Sequence, residues 1–160
     1  MPTLETTPLE PQQLVEEYSD MVLRAALSLV KHLQDAEDIA QEVFLTLMRK
    51  PPVFESREHQ KAWLLRCTIN RCKSLFRSSW HRTTAPLEEH LTVPFTPEEN
   101  QVLDAVRQLP MKYRQVIYLH YIEGYSTAEI ASLLHRPQNT VLSQLSRGRS
   151  LLKDALKGEF

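Results

Sequence analysis

Glycine is almost missing from this chain. Among its 160 residues only Gly124, Gly148 and Gly158 occur, so neither a glycine-rich phosphate loop nor a dinucleotide fingerprint can be written with it, which argues against nucleotide-dependent catalysis. Cysteine is scarce too. Cys67 and Cys72 are the only two; inside one predicted helix they point in different directions and cannot bridge locally, a usage that fits a reducing compartment. No apolar run approaches the roughly 20 residues that span a bilayer, and the N-terminus lacks the basic-then-apolar pattern of a signal peptide. The expectation is a cytoplasmic protein with no membrane insertion. The six histidines are scattered without metal-ligand spacing, and no carboxylate pair, Ser/His/Asp set or activated cysteine stands out. No metal, no cofactor and no catalytic residue is assigned.

A net charge of either sign is also lacking, since 19 Lys and Arg nearly balance 20 Asp and Glu. The balance hides a segregation. Residues 1–42 hold nine acids and two bases, 57–82 hold seven bases and one acid, 83–104 hold five acids and no base, and 136–160 return five bases against two acids. Alternating blocks point to more than one charged partner, the basic ones suited to a polyanion.

The hydrophobic pattern is helical throughout. Residues 1–11, with Pro2, Pro8 and Pro11 among threonines and acids, read as a disordered tail. Leu14, Tyr18, Met21, Ala25 and Leu29 predict a first amphipathic helix to about Leu33. Asp35 and Asp38 predict the capped start of a second helix with Ile39, Val43 and Leu47 as its apolar stripe, stopped by Pro51-Pro52. A third is predicted from after Ser56 to about Trp80, with Ala62, Leu65, Ile69, Cys72 and Phe76 toward the core. Residues 83–96 have prolines and no period and read as a linker. Thr96-Pro97-Glu98-Glu99 is a helix start with a capping threonine, a proline at the first position and a glutamate three after the cap. Leu109-Pro110 interrupts that helix, Tyr113 to Ile122 predicts another ended by Gly124, Ser126 to Glu129 is a second capping box, and Asn139 to about Leu156 is the last helix. The expected fold is all-α: two small helical domains, 12–82 and 97–160, joined by a flexible linker.

Residues 126–145 carry the strongest local signal. A short capped helix, a tight break and a second helix with a polar leading edge make helix-turn-helix arithmetic, with Ile130, Leu134, Val141 and Leu145 as the wedge and Ala131 at the close approach. In such a unit Gln138, Asn139, Thr140, Ser143 and Gln144 would face base edges, and Arg136, Arg147, Arg149 and Lys153 would hold phosphates. An ordinary helical hairpin with a solvated polar face fits the same segment. The turn carries His135 where a left-handed backbone favours glycine, although histidine tolerates that conformation better than most residues.

The predicted third helix has an unusual second face. At about 100° per residue, Trp63, Arg66, Asn70, Lys73, Ser74 and Arg77 share one side: cations to track phosphates and an indole able to stack on an unpaired base. Trp63 taken alone fits a packed structural ring equally well. The acidic run Asp35, Glu37, Asp38 and Glu42, taken alone, fits a solvated face.

Together the segments resemble the extracytoplasmic-function (ECF) sigma factors, the promoter-recognising subunits of bacterial RNA polymerase. The resemblance covers about residues 12–82 and 97–155. It rests on the run from Asp35 to Phe44, on Trp63-Leu64 with Asn70 and Arg77, on Leu109-Pro110 with Arg114, and on Ser126 through Leu145 continuing into Arg147-Gly148-Arg149. It implies a sigma-2-like helical bundle followed by a sigma-4-like helix-turn-helix domain. Asp35, Asp38, Gln41 and Glu42 would dock on the largest polymerase subunit. Trp63, Arg66, Asn70, Lys73 and Arg77 would engage the minus-ten element and help separate its strands, with residues 55–61 holding an extruded base. The residues of the helix-turn-helix named above would read the minus-thirty-five element. Core RNA polymerase, promoter DNA and an anti-sigma protein are the implied partners. Leu142 and Gln144 stand where many relatives carry Lys and Arg, and Ser74 replaces a common aspartate; both bear on promoter choice. A free-standing dimeric repressor and an adaptor that binds only protein are the rival readings.

Overall fold

The computed structural model describes residues 7–78 and 96–157, and for residues 76–78 the backbone only. The chain divides into two compact units, Met1–Pro94 and Phe95–Phe160, and every described element is helical. The first unit packs three helices, α1 (Pro11–Leu29), α2 (Leu33–Arg49) and α3 (Arg57–Ser78).

Pro11 opens α1 at the position where its missing N–H costs nothing, and the N–H of Glu10 donates to Gln13 Oε1 at 3.0 Å. The last turn of α1 is buried all round, from Ala25 through Val30, so this helix end lies at the centre of the unit. Its one hydroxyl there, Ser28, donates to the Arg24 carbonyl at 2.8 Å, which removes the penalty of burying it. The helix ends at Leu29 rather than near Leu33, because Val30 turns extended and α2 already begins at Leu33 after His32. Asp35 therefore is no cap: it sits in the first turn of α2, 5% exposed, where a carboxylate still favours the positive end of the helix. Pro51-Pro52 stops α2 as the sequence predicts, with Lys50 as its last capped residue.

Ser56 starts α3, its hydroxyl accepting from the His59 N–H at 3.1 Å and its carbonyl from the Gln60 N–H. Leu64, Leu65, Thr68, Ile69 and Cys72 form the buried face. Of the segment expected as a disordered tail, residues 7–10 dock on this helix. Gln60, 1% exposed, donates to the Leu9 carbonyl at 2.7 Å and accepts from the Leu9 N–H at 3.0 Å, while Arg57 Nε donates to the Thr7 carbonyl at 2.9 Å. A buried side-chain amide that satisfies both backbone groups of one residue works like a strand pairing. Residues 1–6, the end of the third predicted helix at Trp80, and all of the expected linker but Thr96 lie outside the described residues.

The second unit comprises α4 (Pro97–Arg107), α5 (Met111–Ile117), a π turn (Tyr118–Ile122), α6 (Thr127–Leu134) and α7 (Gln138–Lys157). Both predicted capping boxes form. Thr96 accepts from the Glu99 N–H at 3.2 Å and donates its own N–H to Glu99 Oε2 at 2.8 Å, and Ser126 and Glu129 repeat the exchange at 3.1 and 3.0 Å. The helix predicted from Tyr113 starts at Met111, directly after Pro110, and its last turn widens into the π turn. Gly124, at φ +77°, supplies the left-handed residue that ends it. Leu103, Val106, Val116, Ile117, Tyr118, Leu119, Ile130, Val141 and Leu145 fill the core. Buried Gly148 lets α7 approach α5 closely, since a Cβ there would lie 3.0 Å from Ile117 Cγ1.

Candidate nucleic-acid and polymerase-binding surfaces

On α3 the indole of Trp63 is half-buried and held edge-on by Phe54, the ring centroids 5.8 Å apart at 77°. Phe54 in turn meets the His59 ring at 5.3 Å and 80°. The three rings form a corner at the start of α3, with part of the indole open to a ligand and its orientation fixed by edge-to-face packing. Asn70, two turns along, is exposed, and Arg66 and Lys73 are half-buried. By helical register these three share one side with Trp63. The Arg77 side chain lies outside the described residues. Sequence reasoning missed Phe54; its signal was an aromatic standing just before the loop that leads into α3.

The four residues expected to dock on polymerase do not make one patch. Exposed Asp38 accepts from Gln34 Nε2 at 3.0 Å, and Glu42 pairs with Arg71 of α3 at 3.0 Å, both about half exposed. With Asp35 and Ser74 they line a polar cleft of about 330 Å³ between α2 and α3. Gln41 faces the other side of α2, where with Phe44, Leu45, Met48, Val15 and Leu23 it lines an apolar groove of about 660 Å³ between α1 and α2. Leu45 and Met48 are 48% and 52% exposed; they are the residues the acidic pattern concealed, and their register beside Gln41 was the available clue. The exposed Glu42–Arg71 pair contributes little to stability and is open to competition from a charged partner.

In the second unit α6, the turn 135–137 and α7 form the helix-turn-helix. His135 is the left-handed residue of the turn, at φ 55° and ψ 49°, and the Arg136 N–H closes it onto the Ala131 carbonyl at 3.0 Å. Accepting hydrogen bonds from the backbone and side chain of Ser126 holds the Glu129 carboxyl below its ordinary range. Ile130, Leu133, Val141 and Leu145 are buried between the helices; Leu134, expected in that wedge, is half-buried.

Four of the expected DNA contacts, Asn139, Thr140, Ser143 and Arg147, stand exposed on the outer side of α7. The others are engaged within the fold. Gln138 Nε2 donates to Thr127 Oγ1 at 3.0 Å. Half-buried Arg136 donates to Gln144 Oε1 at 2.9 Å and to Gln115 Oε1 of α5, and burial pulls its guanidinium below the ordinary value. Arg149, about 160° from Arg147 around the helix, donates to the Tyr121 hydroxyl at 3.1 Å. With Lys153 it borders an apolar groove of about 620 Å³ over Val106, Tyr121, Ile122 and Leu152. Gln115 and Tyr121 carry no signal of these contacts in the sequence. Among the described residues no helix is long and apolar enough to cross a membrane.

Comparison with known proteins divides the chain in the same way. The family description "Sigma-70 region 2" matches residues 14–82, and "Sigma-70, region 4" matches residues 99–152. The chain is 28% identical to the ECF RNA polymerase sigma factor SigW of Bacillus subtilis, over 90% of this chain and 87% of SigW. It is 31% identical to the ECF sigma factor SigL of Mycobacterium tuberculosis, over 82% of this chain and 80% of SigL. Among solved structures, CnrH in complex with the cytosolic domain of CnrY matches at 25% identity and a TM-score of 0.70, over 94% of this chain and 89% of that one. The sigma factor RpoE of Bartonella quintana, crystallised with the anti-sigma factor NepR, shares the fold at 24% identity and a TM-score of 0.76, over 91% and 96%.

Proposed function

We propose a division of labour within this chain, which belongs to the ECF sigma factors and directs promoter-specific transcription initiation: the first unit captures an unpaired strand, and the second reads duplex. Opening DNA costs about 1.4 kcal/mol per base-pair step on average. A base stacked on an aromatic ring returns about 1–3 kcal/mol, so a few such contacts and neutralised phosphates offset the opening of a short segment. The ring corner of Phe54 and Trp63, in line with Asn70 and the cations of α3, has the chemistry for this and is the observation that carries the reading. It corresponds to the minus-ten reader.

The minus-thirty-five reader is α7, entering the major groove with Asn139, Thr140 and Ser143 toward base edges and Arg147 toward a phosphate. The turn that aims it is closed by the Arg136 N–H on the Ala131 carbonyl, and the Ser126–Glu129 box fixes the start of the helix before it. Core RNA polymerase meets both sides of α2, its polar cleft through Asp38 and Glu42 and its apolar groove through Gln41, Leu45 and Met48. We assign the protein no reaction of its own and no cofactor, place it in the cytoplasm, and give it an anti-sigma protein as inhibitor, for which the NepR-bound relative is the support.

Reconstitution with core polymerase on a promoter library, followed by sequencing of the transcripts, tests the reading. Two separated sequence elements enriched among the active promoters are expected, and enrichment of a single palindromic duplex site would favour a repressor instead.

A further inference from the structure

The turn of the helix-turn-helix contains a contact that changes what one reading residue can do. Arg136 lies between left-handed His135 and Pro137, half-buried. Two arms of its guanidinium reach two different glutamine carbonyls, Gln144 on α7 at 2.9 Å and Gln115 on α5. A guanidinium is a planar, rigid fork of donors, so the two bonds together fix the Gln144 side chain relative to the scaffold as well as to its own helix.

Gln115 supports this. It is 1% exposed, and its Nε2 has no partner among the described residues. A buried amide with an unsatisfied donor is destabilising, a cost that a leucine of similar size would avoid. What the glutamine adds is a carbonyl for Arg136.

We propose that Arg136 is a positioning residue that selects the base read by Gln144, by holding that amide with its oxygen inward and its Nε2 outward as a donor. The proposal rests on the reading of α7 as the duplex reader. A glutamine free to turn reads adenine through both of its amide atoms, Oε1 accepting from N6 and Nε2 donating to N7. With Oε1 tied to Arg136, the outward atom is a donor: it keeps only the N7 bond to adenine and favours edges rich in acceptors, guanine with O6 and N7, or thymine O4. Cytosine, which presents a donor, is rejected.

The test uses polymerase reconstituted with the full chain and selected on duplex promoter fragments randomised across the upstream element, comparing Arg136→Leu, Arg136→Lys, Gln144→Ala and the Leu/Ala double variant. Arg136→Leu is expected to shift the preference at one base pair toward adenine by roughly tenfold, the scale of one base contact. Arg136→Lys, with the charge but without the fork, should do the same. Gln144→Ala should erase the preference at that same base pair, and adding Arg136→Leu to it should change nothing further there.

Arg136→Leu that weakens binding equally on all sequences, and lowers the slope of log affinity against log salt by about 1 with preferences unchanged, would make Arg136 a phosphate contact and overturn the proposal. If Arg136→Leu does not fold, Gln144→Ala alone decides: an unaltered preference profile refutes the assignment. Asn139→Ala combined with Ser143→Ala separates the two levels. An unchanged profile in that variant removes α7 as the reader altogether, whereas a changed profile beside an inert Arg136→Leu removes only the role of Arg136.

Discussion

Around the helix-turn-helix, polar side chains are held by the fold: Gln138 by Thr127, Gln144 by Arg136, Arg136 by Gln115, and Arg149 by Tyr121. On α3 it is an aromatic ring that is held, Trp63 by Phe54, while Asn70 stands exposed one face-repeat along. Under the proposed division of labour this difference suits the two forms of DNA. Duplex offers base edges at fixed positions, so a side chain already ordered, as Gln144 is by Arg136, loses less entropy on meeting it, by about 0.5–1.5 kcal/mol. An unpaired strand has no fixed geometry, and a rigid ring that stacks on any base tolerates that freedom.

Truncating the two cores one at a time should have the strongest consequence. Leu65→Ala under α3 and Ile130→Ala under α7 both remove a fully buried side chain and should each cost about 2–5 kcal/mol. Hydrogen exchange should show the loss confined to the unit that carries the change, with the first variant losing strand capture and the second losing dependence on the upstream element. Exchange that rises equally in both units would contradict two separate readers.

A smaller effect sharpens the account of the turn. His135 holds a left-handed backbone at φ 55°, which is unfavourable for a residue with a Cβ by about 1–2 kcal/mol. His135→Gly should therefore raise the stability of the second unit by up to about 1 kcal/mol, after the entropy glycine adds to the unfolded chain, measured as the midpoint of denaturant unfolding. A lowered midpoint would place the histidine ring in a contact of its own.

The smallest effect is a dependence on pH. Ser126 holds the Glu129 carboxyl below its ordinary range, so ionised Glu129 stabilises the start of α6 above the ordinary carboxylate pKa, and that contribution is lost as pH falls through the lowered folded value. Carboxyl NMR titration should give Glu129 a midpoint below the ordinary glutamate value, and Glu129→Gln should flatten this part of the acid dependence. An ordinary midpoint would contradict the box.

Where both halves of an interaction lie close in sequence, the structure was readable in advance. Ser126 and Glu129, Thr96 and Glu99, and the stop at Pro51-Pro52 belong to this class, and so does the register that gathers Trp63, Arg66, Asn70 and Lys73. The start of α2 was not readable, because His32 carries no capping signal and Asp35 looks like a cap until burial shows otherwise. Nor was the fate of the arginines around the turn. Arg136 meets partners 8 and 21 positions away, a product of tertiary packing, and Gly148 is small because Ile117 of another helix comes against it. The split across α2 of the residues expected to bind polymerase was half legible: a wheel separates Gln41 from Glu42, but the exposure of Leu45 and Met48 depends on how α1 packs.

Permanganate footprinting of polymerase carrying Trp63→Ala with Asn70→Ala, beside nuclease protection of the upstream element, bears most directly on strand capture by α3. Protection upstream should persist while the reactive thymines of the opened segment fall by tenfold or more, the scale of one or two lost stacking contacts at about 1–3 kcal/mol each. Wild-type thymine reactivity in the doubly substituted protein would contradict it.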